Sequence, residues 1–421
     1  MSRNDVRVAP EKGPSLRLVS NSDAQPAVFL MRGTGEYKRA SLALFLSGFA
    51  TFSLLYCVQP LMPLFSQDFA VTPAESSLSL SLSTGFLAVA IFLAAAVSER
   101  FGRRSLMFAS LMGAALCTIA CGVVPNWHLL LVARALEGLL LGGVPAVAMS
   151  YLSEEIDPRG LGASMGLNIA GNAFGGMAGR VITGMLAELL NWKLALGVVG
   201  TMGLAAALGF FVLLPPSRNF VPRRGAGLGF HLKAWGGHLS DPALPFLFLI
   251  AGLLMGSFVT IYNYAGYRLV GAPYNLNQTE LGLIFTVYIF GIAASWAGGL
   301  LGDRFGHFAI LPIGIASAAL GVAVTLSSSL AAIIIGIVLL TIGFFMAHSV
   351  ASSLVGRLAK RSKGHASSLY LLSYYIGSSV AGSVGGYFWA ADGWWAVVAF
   401  TFALLAIAMI CAYGAARLAR R

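Results

Sequence analysis

Runs of about 20 predominantly apolar residues, the length that crosses a bilayer as a helix, recur twelve times along the chain and are separated by short polar gaps. Six runs lie within 41–214 and six within 244–416; between them, 215–243 is a looser stretch of prolines, glycines and basic residues. Residues 1–40 are polar, with no apolar core followed by a small-residue cleavage site, so they read as a flexible tail and not as a cleaved signal. The pattern predicts an all-α polytopic membrane protein: 12 transmembrane helices in two pseudo-symmetric six-helix halves, joined by the 215–243 linker and closed by a short tail over 417–421.

One gap recurs in detail. Ser98-Glu99-Arg100-Phe101-Gly102-Arg103-Arg104 separates the second and third runs, and 204 positions later Gly302-Asp303-Arg304-Phe305-Gly306-His307 separates the eighth and ninth. An acid, an arginine and a turn glycine repeated at half the chain length indicate two related halves, with function between them.

Composition agrees with the pattern. With 57% hydrophobic residues, 10% charged residues and a mean hydropathy of +0.81, the chain is excluded from the ordinary soluble class. The net charge of +11 alone would suggest nucleic acid, but its distribution says otherwise. Placing the N-terminus in the cytoplasm puts 23 of the 27 Lys and Arg in cytoplasmic segments, including the C-terminal tail. Lys193 and Arg268 face outward, and Arg134 and Arg180 fall inside runs. That bias is the positive-inside rule, so the basic charge is topological and no nucleic-acid partner is expected. Cys57, Cys117, Cys121 and Cys411 all lie within apolar runs, with no metal-ligand spacing. No phosphate loop, nucleophile motif or metal-binding acid pair is present, so neither a cofactor nor an enzymatic activity is expected. The dense acids Glu154, Glu155 and Asp157 flank a turn without His or a second matching cluster.

These features resemble the major facilitator superfamily, whose signature Gly-x-Leu-x-Asp-Arg-x-Gly-Arg-Arg/Lys is matched by Glu99, Arg100, Gly102, Arg103 and Arg104, with Ala95 in place of the first glycine. The second copy keeps Gly299, Leu301, Asp303, Arg304 and Gly306 but has His307 and Phe308 for the basic pair. Tyr56-Cys57-Val58-Gln59-Pro60-Leu61-Met62-Pro63, Tyr151-Leu152-Ser153-Glu154-Glu155-Ile156 and Ala366-Ser367-Ser368-Leu369-Tyr370 resemble the YnfM-type branch of bacterial inner-membrane transporters, grouped with drug/metabolite:proton antiporters. Gly171, Gly175, Gly176, Gly179 and Arg180 are similar to the exporter signature of drug/proton antiporters, with Gly176 for the expected proline and Arg180 for a glycine. Glycines four apart also let a neighbouring helix approach closely, and a packing face on which two halves rock accounts for Gly171, Gly175 and Gly179 equally. The resemblance further implies gating by Glu99, Arg100, Gly102, Arg103, Asp303, Arg304 and Gly306 at the cytoplasmic helix ends. There an acid and a base can pair with the opposite half or with helix termini; a solvated turn is the plainer reading for Arg103 and Arg104.

Charges at membrane depth cost several kcal/mol and mark functional sites by default. Arg134 and Glu137, three apart in the fourth run, share a helix face and can pair. Arg180, in the fifth run, lies at comparable depth, so the three could form one cluster; its repeat equivalent is Gly382. Glu137 is either the carrier of a coupled proton or a permanent counter-ion to Arg134. His348, the only His inside a run, is a second proton site or a packing residue. Tyr56 and Gln59, before Pro60 can bend the first run, together with Tyr262, Asn263 and Tyr374, supply apolar area and polar tips for a ligand near the midplane. Tyr375, Tyr264 and Tyr267 lie nearby, the last two fitting an interfacial belt equally well.

The reading is a monomeric secondary transporter in the bacterial inner membrane, working by alternating access with both termini cytoplasmic. Its partners are protons, the lipid bilayer and a small-molecule substrate, and its activity is proton-coupled efflux of a small amphipathic drug-like compound or metabolite. Proton symport or facilitated uptake of a metabolite on the same scaffold is the alternative.

Overall fold

The computed structural model describes residues 29–219 and 228–419, and for 92–101, 146 and 228 it describes the backbone alone. Residues 1–28 of the expected tail, 220–227 of the linker, 420–421 and the side chains of Glu99 and Arg100 lie outside the described residues. The rest is almost entirely helical: α1 (Gly35–Tyr56), α2 (Met62–Asp68), α3 (Pro73–Phe101), α4 (Arg103–Cys121), α5 (Trp127–Leu141), α6 (Pro145–Glu155), α7 (Pro158–Leu189), α8 (Trp192–Leu213), α9 (Leu228–Leu239), α10 (Leu244–Val270), α11 (Gln278–Leu283), α12 (Tyr288–Phe305), α13 (His307–Val324), α14 (Leu330–Leu358) and α15 (Lys363–Leu418).

Local chemistry sets the starts and breaks. Thr34, Asn126 and Asn191 cap α1, α5 and α8 by accepting from the backbone N–H three residues on, and Asn277 with Glu280 forms a full capping box at α11. Pro60 cannot supply a helical N–H, so α1 stops at Tyr56 and a 3₁₀ turn, Gln59–Leu61, bridges to α2. Pro145 likewise opens α6 after an interruption at 142–144. α15 is broken at Asp392 and Gly393, where φ at the glycine is +57°. The glycine of each repeated charged turn sits at positive φ, +81° at Gly102 and +93° at Gly306, which explains why both copies keep it.

Among the described residues, nine stretches are helical, long and apolar enough to cross a membrane. The fourth run is split into α5 and α6, and α7, with Asn168, Asn172 and Arg180, is too polar to be among the nine; the last two runs follow one another across the break at Asp392 and Gly393 and count as one stretch.

Helices α1 and α3–α8 pack on one another, as do α10 and α12–α15; α3 against α15 and α7 against α11 connect the two groups. Small residues make the tightest crossings, as expected where lipid supplies no hydrophobic drive between helices. A Cβ on Gly377 of α15 would fall 2.0 Å from the Gly252 carbonyl oxygen of α10, and one on Gly321 of α13 would fall 2.3 Å from Leu340 N of α14.

Two segments differ from the sequence reading. Residues 29–40 are not loose: Leu30 N donates to Glu155 O at 2.8 Å, Asp157 N donates to Leu30 O at 3.2 Å, and the Tyr37 hydroxyl donates to Gly160 O at 2.9 Å. The linker contains α9, whose Leu228, Leu232, Trp235 and Leu239 recur at helical spacing. It packs on the start of α15, with His231 Nδ1 2.9 Å from His365 Nε2 and Trp235 Nε1 donating to Ser368 Oγ at 3.2 Å.

Candidate functional site

The polar interior of the bundle is built around the end of α1. A helix that stops leaves its last carbonyls without partners, and Arg134 on α5 supplies them. Its Nη1 donates to Leu54 O at 3.2 Å, its Nη2 to Leu55 O at 2.6 Å and its Nε to Ser79 O of α3 at 2.7 Å. Nη1 also pairs with Glu137 one turn on, and both side chains are fully buried. The second carboxylate oxygen, Glu137 Oε1, has no hydrogen-bond partner among the described residues. Ser83 Oγ donates to Arg134 O at 2.7 Å and ties α3 to the same point.

Arg180 is also buried but belongs to a separate constellation. Its Nε donates to Gln59 Oε1 at 2.6 Å and its Nη1 to Gly176 O at 2.6 Å. Its guanidinium carbon stands 4.2 Å from the Tyr56 ring centroid and 5.0 Å from those of Phe285 and Tyr288. This corrects the expectation of one Arg134–Glu137–Arg180 cluster: Arg134 grips the α1 carbonyls while Arg180 reaches the 3₁₀ turn beyond them. Gln59 Nε2 in turn donates to Asn263 Oδ1 of α10 at 2.7 Å. These two residues are 204 positions apart, the offset of the charged-turn repeat, so equivalent positions of the repeat meet face to face. Gly382, the equivalent of Arg180, faces Asn263 as Arg180 faces Gln59: a Cβ there would lie 3.3 Å from Asn263 Nδ2.

An aromatic wall leads away from Arg180. Tyr262 stacks on Phe285 at 5.2 Å and donates to Thr341 Oγ1 at 2.8 Å, because that threonine hydroxyl is itself committed to Ile337 O. Phe258 stacks on Phe344 at 4.0 Å, Phe344 on His348 at 5.7 Å, and His348 lies 4.8 Å from Tyr374, which meets Tyr375 edge-on. The Tyr370 hydroxyl is 2.9 Å from His348 Nδ1. Tyr56, Gln59, Tyr262 and Asn263 are buried, whereas His348 and Tyr374 are half-buried. Phe258, Phe285, Tyr288 and Phe344 escaped the sequence reading because aromatics are ordinary in apolar runs; Tyr288, a polar aromatic mid-run, carried the one usable signal.

The glycine face of α7 has a definite partner. A Cβ on Gly171, Gly175 or Gly179 would fall 2.4 Å from Phe45 O, 2.2 Å from Phe49 O or 2.7 Å from Ser53 Cα, all on α1. This face therefore joins two helices of one group and is not the surface on which two groups could rock. A turn further along, Gly184 meets Gly282 of the other group, at the end where Gln278 N donates to Glu188 at 2.9 Å, Ser66 Oγ and the Tyr267 hydroxyl are 2.7 Å apart, and Gly386 packs on Ala74. At the opposite end Arg103 pairs with Glu154 at 2.8 Å and Asp303 with Arg357 at 2.6 Å, each within its own group, while Arg304 lies over Phe305. Of the two kinds of partner expected for Asp303, the opposite half or a helix terminus, it meets Arg357 in the last turn of α14, within its own group.

A many-helix membrane protein with a buried arginine and two amides, Arg180, Gln59 and Asn263, gathered where two helix groups meet has the build of a solute transporter. Its family is shown by sequence: residues 44–270 and 267–420 match the Major Facilitator Superfamily, and the chain belongs to that family. It is 46% identical over 386 residues to the MFS-type transporter YybF of Bacillus subtilis (strain 168), covering 91% of this chain and 95% of that protein. It is also 46% identical over 391 residues to the inner membrane transport protein YnfM of Escherichia coli (strain K12), covering 92% and 93%. Among solved structures, a bacterial homolog of the human lysosomal transporter Spinster shares the fold, with a TM-score of 0.75 at 15% identity over 92% of this chain and 97% of that one. The chain is therefore a secondary transporter spanning the membrane several times, and its relatives are transporters, not enzymes.

Proposed function

We propose that the protein is a proton-coupled exporter of a small amphipathic compound, drug-like or metabolic, acting as a monomer in a bacterial inner membrane by alternating access. Twelve crossings form two six-helix halves, 41–214 and 244–416, with both termini in the cytoplasm. The observation that supports the reading is the Gln59–Asn263 contact between repeat-equivalent positions, beside which the buried Arg180 and the aromatic wall are within reach of both halves. The seam at Glu188, Gln278, Ser66 and Tyr267 then closes the periplasmic side, and Arg103–Glu154 and Asp303–Arg357 brace each half at the opposite, cytoplasmic end. Gly102 and Gly306 shape those gating turns.

Glu137 carries the proton in this account. Its unpartnered Oε1 can take one, and neutralising it weakens the hold of Arg134 on the end of α1, the helix that delivers Tyr56 and Gln59 to the substrate. His348, beside Tyr374, is the second site to test. The deciding experiment reads internal pH in proteoliposomes under an imposed gradient while a panel of dyes, organic anions and sugars is supplied. Substrate flux opposed to proton flux, and lost in Glu137→Gln, is the expected result; flux in the same direction as protons would make the protein a symporter instead.

A further inference from the structure

Among the described residues two arginines are buried in the membrane core, and they are provided for differently. Arg134 has Glu137. Arg180 has no carboxylate partner among the described residues: its acceptors are a glutamine oxygen and a backbone carbonyl, and the rest of its surroundings are three ring faces. A guanidinium keeps its charge in any environment a protein offers. An unpaired buried charge is costly, and cation–π contacts offset only part of that cost.

Hydrogen-bond polarity sharpens the point. Arginine only donates, so Gln59 must turn Oε1 toward Arg180 and Nε2 toward Asn263; Asn263 must then present Oδ1 to Gln59, leaving its Nδ2 over. Asn263 Nδ2 and the Tyr56 hydroxyl are both buried without a partner, and Arg180 Nη2 has no acceptor among the described residues. The region around the guanidinium therefore holds a surplus of donors and a positive charge, next to a wall of aromatic rings.

We propose that Arg180, Tyr56 and Asn263 form the headgroup subsite for an organic carboxylate whose aromatic or apolar body lies along the Phe285–Tyr288 wall. The substrate is then an amphipathic organic anion. This rests on the reading of the Gln59–Asn263 region as the transport site, and narrows the cargo by charge. A carboxylate supplies the acceptors the site lacks, in a planar shape that matches a guanidinium edge.

The test uses three probes of one shape, 1-naphthoate, 1-naphthylmethanol and 1-naphthylmethylammonium, bound to the full-length protein in detergent and then supplied to proteoliposomes. Wild type should prefer the carboxylate by about tenfold or more, and Arg180→Gln should reduce naphthoate to the level of the alcohol. Arg180→Lys, which keeps the charge but loses the fork, should fall between. Tyr56→Phe removes one donor without removing the ring, and should weaken naphthoate alone; it serves should Arg180→Gln fail to fold. Equal binding of the three probes, or naphthoate binding unchanged in Arg180→Gln, overturns the subsite. If the ammonium probe is exported against protons while naphthoate is not bound, the anion subsite falls and the exporter stands. If no probe moves or shifts internal pH, both fall together.

Discussion

Arg134 offers the sharpest perturbation, because its role as a cap for α1 predicts an order of stabilities and not only a loss. Arg134→Met removes the bonds to Leu54 O, Leu55 O and Ser79 O and leaves Glu137 buried without its partner. Breaking a buried pair from one side costs about 3–5 kcal/mol. Glu137→Gln is milder: the amide oxygen still accepts from Arg134, and the guanidinium still faces the negative end of α1, so about 1–3 kcal/mol is expected. The double variant Arg134→Met/Glu137→Met should recover much of the single arginine loss, since neither charge is then stranded. Unfolding from detergent is governed by rates as much as by equilibrium, so the comparison is of thermal midpoints at one scan rate. The expected order is wild type, Glu137→Gln, the double variant, then Arg134→Met. A midpoint for Arg134→Met equal to wild type, or a double variant worse than the two singles combined, would refute the capping argument.

Other expectations follow from separate parts of the molecule. Gly175→Ala should cost about 1–3 kcal/mol, reduced by the helix gain of about 1 kcal/mol, because its Cβ would strike α1 backbone, whereas Gly166→Ala has open space and should stabilise by up to about 1 kcal/mol; paired melting curves check this. Backbone N–H bonding from Arg159 holds the Asp157 carboxyl below its ordinary range. Its contribution is therefore complete above the unfolded carboxyl range and lost as pH falls through the depressed value. Asp157→Ala should melt lower than wild type at neutral pH, with the gap closing in acid. His231 and His365 share a hydrogen bond that ties α9 to the start of α15, so His231→Phe should loosen α9; faster amide exchange of 228–239 in the variant would report it.

The broad plan was legible because lipid allows few solutions: apolar length, the alternation of basic gaps and the 204-residue repeat each come from constraints local to the sequence. Gln59 and Asn263 are separated by the same 204 positions as the charged turns, although only the packed fold brings them within a hydrogen bond. What escaped depended on partners. Glycines at 171, 175 and 179 declare a close neighbour without saying that it is α1. Arg180 and Glu137 share a depth, but one reaches the 3₁₀ turn at Gln59 and the other lies beside the α1 carbonyls. Pro145 does mark a break that the apolar run concealed, and Asp303 found Arg357 on a neighbouring helix that spacing could not have indicated.

Alternating access about the Gln59–Asn263 contact is the central claim, and paired distance measurements address it directly. Spin labels at Leu189 and Asn277 report one end of the molecule, and labels at Arg159 and Lys363 the other, all at exposed positions. Distances would be recorded in liposomes at neutral and acid pH and in Glu137→Gln. The account predicts that the Leu189–Asn277 distance lengthens as Arg159–Lys363 shortens, with Glu137→Gln held in one of the two distributions at both pH values. Two distances that stay fixed, or that rise and fall together, would contradict it.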